Sequence, residues 1–188
     1  FRPAPEDHPV HRGLQAGMVT DDTQQAFALA ATIIMDGKLT AAGAARAIVA
    51  WYDHIGGDSA PFVGPSTRRA VQAIRSGMDI YQTGRFGDTN GAAMRVSPIG
   101  LIHPGDMEGA LLDAYESCIP THHTNTAVSG AAAVAAAVAA AMPLHASLDD
   151  VVAAGMRVAD AGLTLGYPWM GASIARRIDM AVQIANSN

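Results

Sequence analysis

The chain has 188 residues, 49% of them hydrophobic and 15% charged, with a formal net charge of −5. This is enough apolar material for one buried core, and the negative balance offers no attraction to bulk nucleic acid or an anionic membrane. The single cysteine, Cys118, excludes an internal disulfide and a cysteine-based zinc site, and reads as a small buried apolar residue.

Small residues carry much of the apolar count, which favours closely approaching helices over a sheet rich in Val, Ile and aromatics. Phe1 to Gly17, rich in Pro, His and Gly, reads as an extended loop. Thr20-Asp21-Asp22-Thr23 then opens an apolar helical run from Gln24 to Met35, ended by Asp36-Gly37. Thr40 is placed to cap a helix from Ala41 to about His54, broken by Gly56-Gly57. Gly64-Pro65 starts the next, with Pro where its missing N–H costs nothing, and Gly77 ends it. Arg85 to Ser97 has loop chemistry, with Gly, Asp and Asn positions able to take positive φ; Ala92-Ala93-Met94 is a candidate helix start. Asp106 is placed to cap Met107 to Cys118, which Pro120 stops.

Asn125 to Met142 is a helix apolar on all sides and built of small side chains, which predicts burial at the centre of a bundle, Ala127 to Ala141 above all. The apolar run Ala127 to Pro143 is too short and too weakly hydrophobic to span a bilayer. Ser147-Leu148-Asp149-Asp150 is a capping-box-like start for a helix to about Leu165. Tyr167-Pro168-Trp169-Met170 interrupts, and Ser173 to Ala185 forms the last helix. No segment alternates with period two, so the chain reads as all-α, an irregular bundle, with residues 1–188 as one partial domain. No signal peptide is recognisable at its start, and it reads as a soluble cytoplasmic protein.

Chemistry concentrates in three places. Thr20, Asp21, Asp22 and Thr23 put two carboxylates between two hydroxyls. Thr and Asp there serve as helix caps and suit the helix dipole; the same oxygens also suit a hard cation. The loop Gly87-Asp88-Thr89-Asn90-Gly91 lets backbone N–H groups approach phosphate oxygens, or is an ordinary turn. His122 lies between Pro120 and the apolar helix, as a ligand contact or a structural histidine. His123 carries no such expectation, and the five other histidines read as structural or exposed. Arg95 has two readings, a bidentate partner of a phosphate or carboxylate and a structural ion pair locking the loop. Met94, Val96 and Ile99 read as core, and the pairs Arg68-Arg69 and Arg176-Arg177 as solvated helix faces.

Taken together, the TDDT helix start, the string Asn90-Gly91-Ala92-Ala93-Met94-Arg95-Val96-Ser97-Pro98-Ile99-Gly100-Leu101 and the later Thr121-His122 resemble the ADP-ribosylglycohydrolase family, which includes the dinitrogenase-reductase-activating glycohydrolases. The resemblance runs from about Gly17 to Met142. It implies an irregular multi-helix orthogonal bundle, and it implies metal-assisted hydrolysis of an N- or O-glycosidic bond to ADP-ribose. Thr20, Asp21 and Asp22 would hold Mg²⁺ or Mn²⁺, two ions in the complete protein, with Asp21 and Asp22 catalytic. Gly87, Asp88, Thr89, Asn90, Gly91 and His122 would contact an ADP-ribosylated protein or an ADP-ribose-like small molecule. The family's opening G-D-A-x-G pattern with its nearby Glu, and its closing G-G-D-T-D-T, are not found. The chain therefore reads as an internal segment, incomplete at both ends and inactive alone. Asp88 is also unusual, because a carboxylate beside a pyrophosphate would repel it; either its side chain turns away or the substrate is a smaller nucleoside or ribosyl N-glycoside. A non-catalytic, crystallin-like paralogue is the third reading.

Overall fold

The helix least able to face water organises the molecule. The computed structural model describes residues 3–9, 11 and 13–187; Phe1, Arg2, Val10, Arg12 and Asn188 lie outside it, and with them part of the expected loop over Phe1 to Gly17. The described residues form α1 Asp21–Asp36, α2 Ala41–His54, α3 Pro65–Arg75, α4 Ile80–Thr83, a 3-10 turn Ala93–Arg95, α5 Ser97–Ile102, α6 Met107–Cys118, α7 Asn125–Ala141, α8 Leu148–Gly162 and α9 Ile174–Asn186. The fold is all-α, with no strand among the described residues and only an isolated bridge between Thr124 and Tyr167. No described helix is long and apolar enough to cross a membrane.

α7 runs through the middle and packs against α5, α6, α8, α9 and the 3-10 turn. Its Ala131, Ala132, Ala135, Ala136 and Ala139 are fully buried, while Val134 alone of its valines reaches solvent substantially. Small side chains let the neighbours approach: a Cβ on Gly100 of α5 would lie 2.5 Å from the Ala135 carbonyl oxygen, and one on Gly162 of α8 3.0 Å from the Ala132 methyl. A second apolar cluster, Ile48, Trp51, Tyr52, Val63 and Val71, joins α2 to α3. Cys118, at the end of α6, is fully buried and its thiol is pushed up to about 12 by that burial.

The caps follow the sequence. Thr40, Asp106 and Ser147 each accept a backbone N–H of the first turn, and Ser147 with Asp150 completes a capping box. Two short helices, α4 and α5, arise where none was expected, and the candidate helix at Ala92-Ala93-Met94 is a single 3-10 turn. The expected solvated pair Arg68-Arg69 is split. Arg68 turns inward and donates to the carbonyl oxygens of Gly57 and Asp58 at 2.7 Å each and of Ala60 at 3.2 Å, holding the loop that carries Phe62 to the site. Arg69 is exposed, as are Arg176 and Arg177.

Candidate functional site

Asp21 and Asp22 occupy the first turn of α1. Thr20 stands at the N-cap position with extended backbone, yet its hydroxyl caps no N–H. It donates instead to Oδ2 of Asp22 at 3.1 Å. Burial, with the neighbouring charge of Asp22 adding, pushes the Asp21 carboxyl up to about 6. Two acids held this close repel one another unless a proton or a cation joins them.

A cavity of about 230 Å³ is lined by Asp21, Asp22, Phe62, Gly64, Thr67, Thr89, Asn90, Gly91, Met94 and His122. The three stretches singled out in the sequence thus meet in one place. Gly87, Asp88 and Thr20 are not in this wall. Asp88 faces the other side of the loop and accepts the indole N–H of Trp169 at 3.1 Å. That side holds a second cavity of about 300 Å³, which shares Thr89 and Asn90 with the first and adds Thr126, Trp169 and Arg177 among its walls.

The glycines of the loop have a packing task that the sequence did not announce. Neither Gly87 nor Gly91 has positive φ. A Cβ on Gly87 would lie 2.1 Å from the Thr121 carbonyl oxygen, and one on Gly91 2.5 Å from the His122 ring. Their missing side chains make room for the Thr121-His122 backbone and the imidazole, so the loop can lie flat on the segment before α7. Thr124 fixes the contact by donating from its hydroxyl to the Gly87 carbonyl at 2.7 Å.

His122 is 1% exposed, with Nδ1 2.9 Å from the Thr121 hydroxyl and Nε2 3.1 Å from that of Thr89. Burial, with the charges of Arg95 and Arg69 adding, pushes it down to about 3. It is a neutral hydrogen-bonding group throughout the physiological range. The unfolded chain takes up a proton between pH 6.5 and 3 that the folded chain refuses, so this contribution to stability is whole above 6.5 and is lost as pH falls. Urea denaturation is expected to show wild type losing about 2 kcal/mol more than His122→Gln between pH 7 and pH 5. Equal losses would remove His122 as the cause.

Arg95 satisfies neither of its expected roles. Its guanidinium is fully buried behind the cavity and, among the described residues, pairs with no carboxylate. It donates to Gln25 Oε1 at 2.9 Å, to the Ser117 carbonyl at 2.7 Å and to the Thr121 hydroxyl at 2.8 Å. Val96 and Ile99 are core as expected, but Met94 is half-buried and lines the cavity beside Asp21. His123, which carried no expectation, is buried between the rings of Tyr115 and Tyr167, at 5.4 and 5.1 Å.

Sequence reading missed Phe62, Thr67 and Trp169. Phe62 follows Pro61 in a Gly- and Pro-rich loop, where an aromatic residue is itself a signal. Trp169 reaches the site because Tyr167 pairs with the backbone around Thr124, donating to the His123 carbonyl at 2.7 Å and accepting from Asn125 at 2.9 Å. Asn125 Oδ1 then takes the Trp169 backbone N–H at 3.0 Å.

A model of the ADP-ribosylglycohydrolase family matches residues 2–188, and the chain belongs to that family. It is 30% identical over 189 residues to the uncharacterized protein YegU of Escherichia coli strain K12, covering all of this chain and 56% of that protein. An uncharacterized protein of Archaeoglobus fulgidus is 34% identical over 139 residues, covering 74% of this chain and 43% of its own. The ADP-ribosylarginine hydrolase Tri1 of Pseudomonas putida strain GB-1 is 31% identical over 124 residues, 62% of this chain and 33% of that one. The chain thus spans about half the length, or less, of these curated relatives. No solved structure matches it significantly.

Proposed function

We propose that the complete protein is a cytoplasmic, metal-dependent hydrolase of a glycosidic bond to ADP-ribose, acting on a modified protein or small acceptor. The observation that carries this reading is the meeting of Asp21 and Asp22 with Thr89, Asn90, Gly91 and His122 around one cavity, in a chain of this family. A relative named as an ADP-ribosylarginine hydrolase supports the substrate class.

The donor set fits part of a Mg²⁺ or Mn²⁺ shell. Thr20, Asp21 and Asp22 offer hard oxygens only, and the repulsion between half-buried Asp21 and exposed Asp22 is eased by a cation between them. Three residues fall short of the six or so oxygens such ions take, so waters or further protein oxygens would fill the remaining positions. A bound ion of this kind lowers the pKa of water and orients sugar hydroxyls. One of the Asp21 and Asp22 carboxylates would accept the proton of the attacking water as the bond from the sugar carbon to its N or O acceptor breaks, and that proton then passes to the departing acceptor. Asn90, the Gly91 backbone and Thr89 hold sugar and phosphate oxygens, and Phe62 and Met94 limit the access of bulk water.

Two features favour ADP-ribose over a smaller N-glycoside. The Asp88 carboxylate is turned from the first cavity into the wall of the second, where it accepts the Trp169 indole N–H and shares the lining with the Arg177 guanidinium, a counter-charge for it or for a phosphate. The second cavity adds an indole face and the Arg177 guanidinium next to Thr89 and Asn90, room for the remaining nucleotide. The test is release of ADP-ribose from ADP-ribosylarginine by the full-length protein with Mn²⁺ or Mg²⁺; no turnover with either ion would reject the proposal. Trp169→Ala should weaken ADP-ribose binding about tenfold, the scale of one base–aromatic stack. Undiminished affinity in calorimetry would return the smaller substrate to first place.

A further inference from the structure

We infer that the buried Arg95 is a positioning residue: through Thr121 it holds His122 in the tautomer protonated on Nε2, and so turns the Thr89 hydroxyl hydrogen toward the cavity. The argument is one of counting donors and acceptors along a chain of contacts. Arg95 Nη2 lies 2.8 Å from the Thr121 hydroxyl oxygen and, being a guanidinium nitrogen, only donates. The same oxygen lies 2.9 Å from His122 Nδ1. These are its two hydrogen-bond partners among the described residues, and Thr121 is 1% exposed, which leaves water little access to that oxygen.

If Nδ1 carried the hydrogen, both partners would donate to Thr121 and its own hydroxyl hydrogen would be buried without an acceptor. That is the arrangement folded proteins avoid. With Nδ1 bare, Thr121 accepts from Arg95 and donates to His122. Nε2 then carries the hydrogen and donates to Thr89 Oγ1 across 3.1 Å. Thr89 is exposed to the cavity, and its own hydrogen is left to point there.

Arg95 itself is fixed by Gln25 Oε1 on Nη1 and by the Ser117 carbonyl, which takes the second hydrogen of Nη2. The direction of every hydrogen from Arg95 to the cavity is thereby set by a cation that never touches a ligand. The consequence for recognition rests on the proposed function. Thr89 meets the substrate as a donor, the role that suits an anionic phosphate oxygen rather than a sugar hydroxyl hydrogen. The tautomer itself does not depend on that function.

The experiment is long-range ¹H–¹⁵N correlation of the ¹⁵N-histidine-labelled chain at pH 7, with His122→Gln identifying the resonance. The expected result is a His122 ring protonated on Nε2 alone in wild type. Thr121→Val should admit a second population protonated on Nδ1, and Thr121→Ser should restore the single form. Arg95→Met should also admit both forms; if it does not fold, wild type and the Thr121 pair carry the test. A wild-type ring protonated on Nδ1 would overturn the proposal, and so would a Thr121→Val spectrum identical to wild type. Since these readouts need no substrate, failure of ADP-ribose to bind would reject the proposed function and leave the relay standing.

Discussion

Asp21→Asn and Asp22→Asn, each in the full-length protein, are expected to lower ADP-ribosyl hydrolysis by on the order of 10²–10⁴-fold, the scale of losing one positioned acid–base group. The substitutions keep shape and remove a negative charge, and with it both a hard ligand and a proton acceptor. They also relieve repulsion, since Asp22 and burial together hold the Asp21 carboxyl well above its ordinary range. A fall in activity without a fall in melting temperature therefore separates chemistry from folding. Steady-state turnover and thermal denaturation measured on the same preparations decide it. Activity within a few-fold of wild type in both variants would remove this turn from the catalytic machinery.

The second large effect is on stability and comes from a single methyl group. Gly87→Ala is expected to cost about 3 kcal/mol, at the upper end of the range for overpacking. The new Cβ would lie 2.1 Å from the Thr121 carbonyl oxygen and 2.7 Å from the His122 Cα. Both are backbone atoms, so no side chain can swing aside. The loop must lift from the segment before α7, breaking the Thr124 bond to the Gly87 carbonyl. Urea denaturation measures the loss, and a variant as stable as wild type would mean the two segments are not in this contact. Alanine at Gly64, which lines the same cavity but has open space around its Cβ direction, serves as the control.

Gly87 and Gly91 show where sequence reading stops: both are recognisable as special, but neither takes the positive φ that a loop glycine suggests, and the close packing that requires them has no local signal. The true neighbour, Thr121-His122, lies some thirty residues away, and no local pattern announces it. By contrast, the starts of α2, α6 and α8 were legible because Thr40, Asp106 and Ser147 act within one turn of themselves. α7 was legible because a helix with no polar face has nowhere to go but inside.

Arg95 escaped for a related reason. An arginine in sequence suggests a counter-ion, and here its partners are a carbonyl, an amide and a hydroxyl supplied by three separate elements. α4 and α5 escaped because four and six residues are too few to show a period. The meeting of Asp21, Asn90 and His122 followed from the family resemblance as a demand on the fold. Trp169 did not, since a long-range bridge at Tyr167 brings it in.

The burial of the chain's one thiol has a practical consequence. Cys118 closes α6 with its side chain fully buried in the core, and burial pushes its thiol up to about 12. Alkylating and disulfide reagents need the thiolate, so the folded state offers them almost none. Each modification event therefore records an excursion in which α6 has come away from the core. The protein carries, without engineering, a one-atom clock for its own opening, and the labelling rate in excess reagent reads the frequency of such excursions directly.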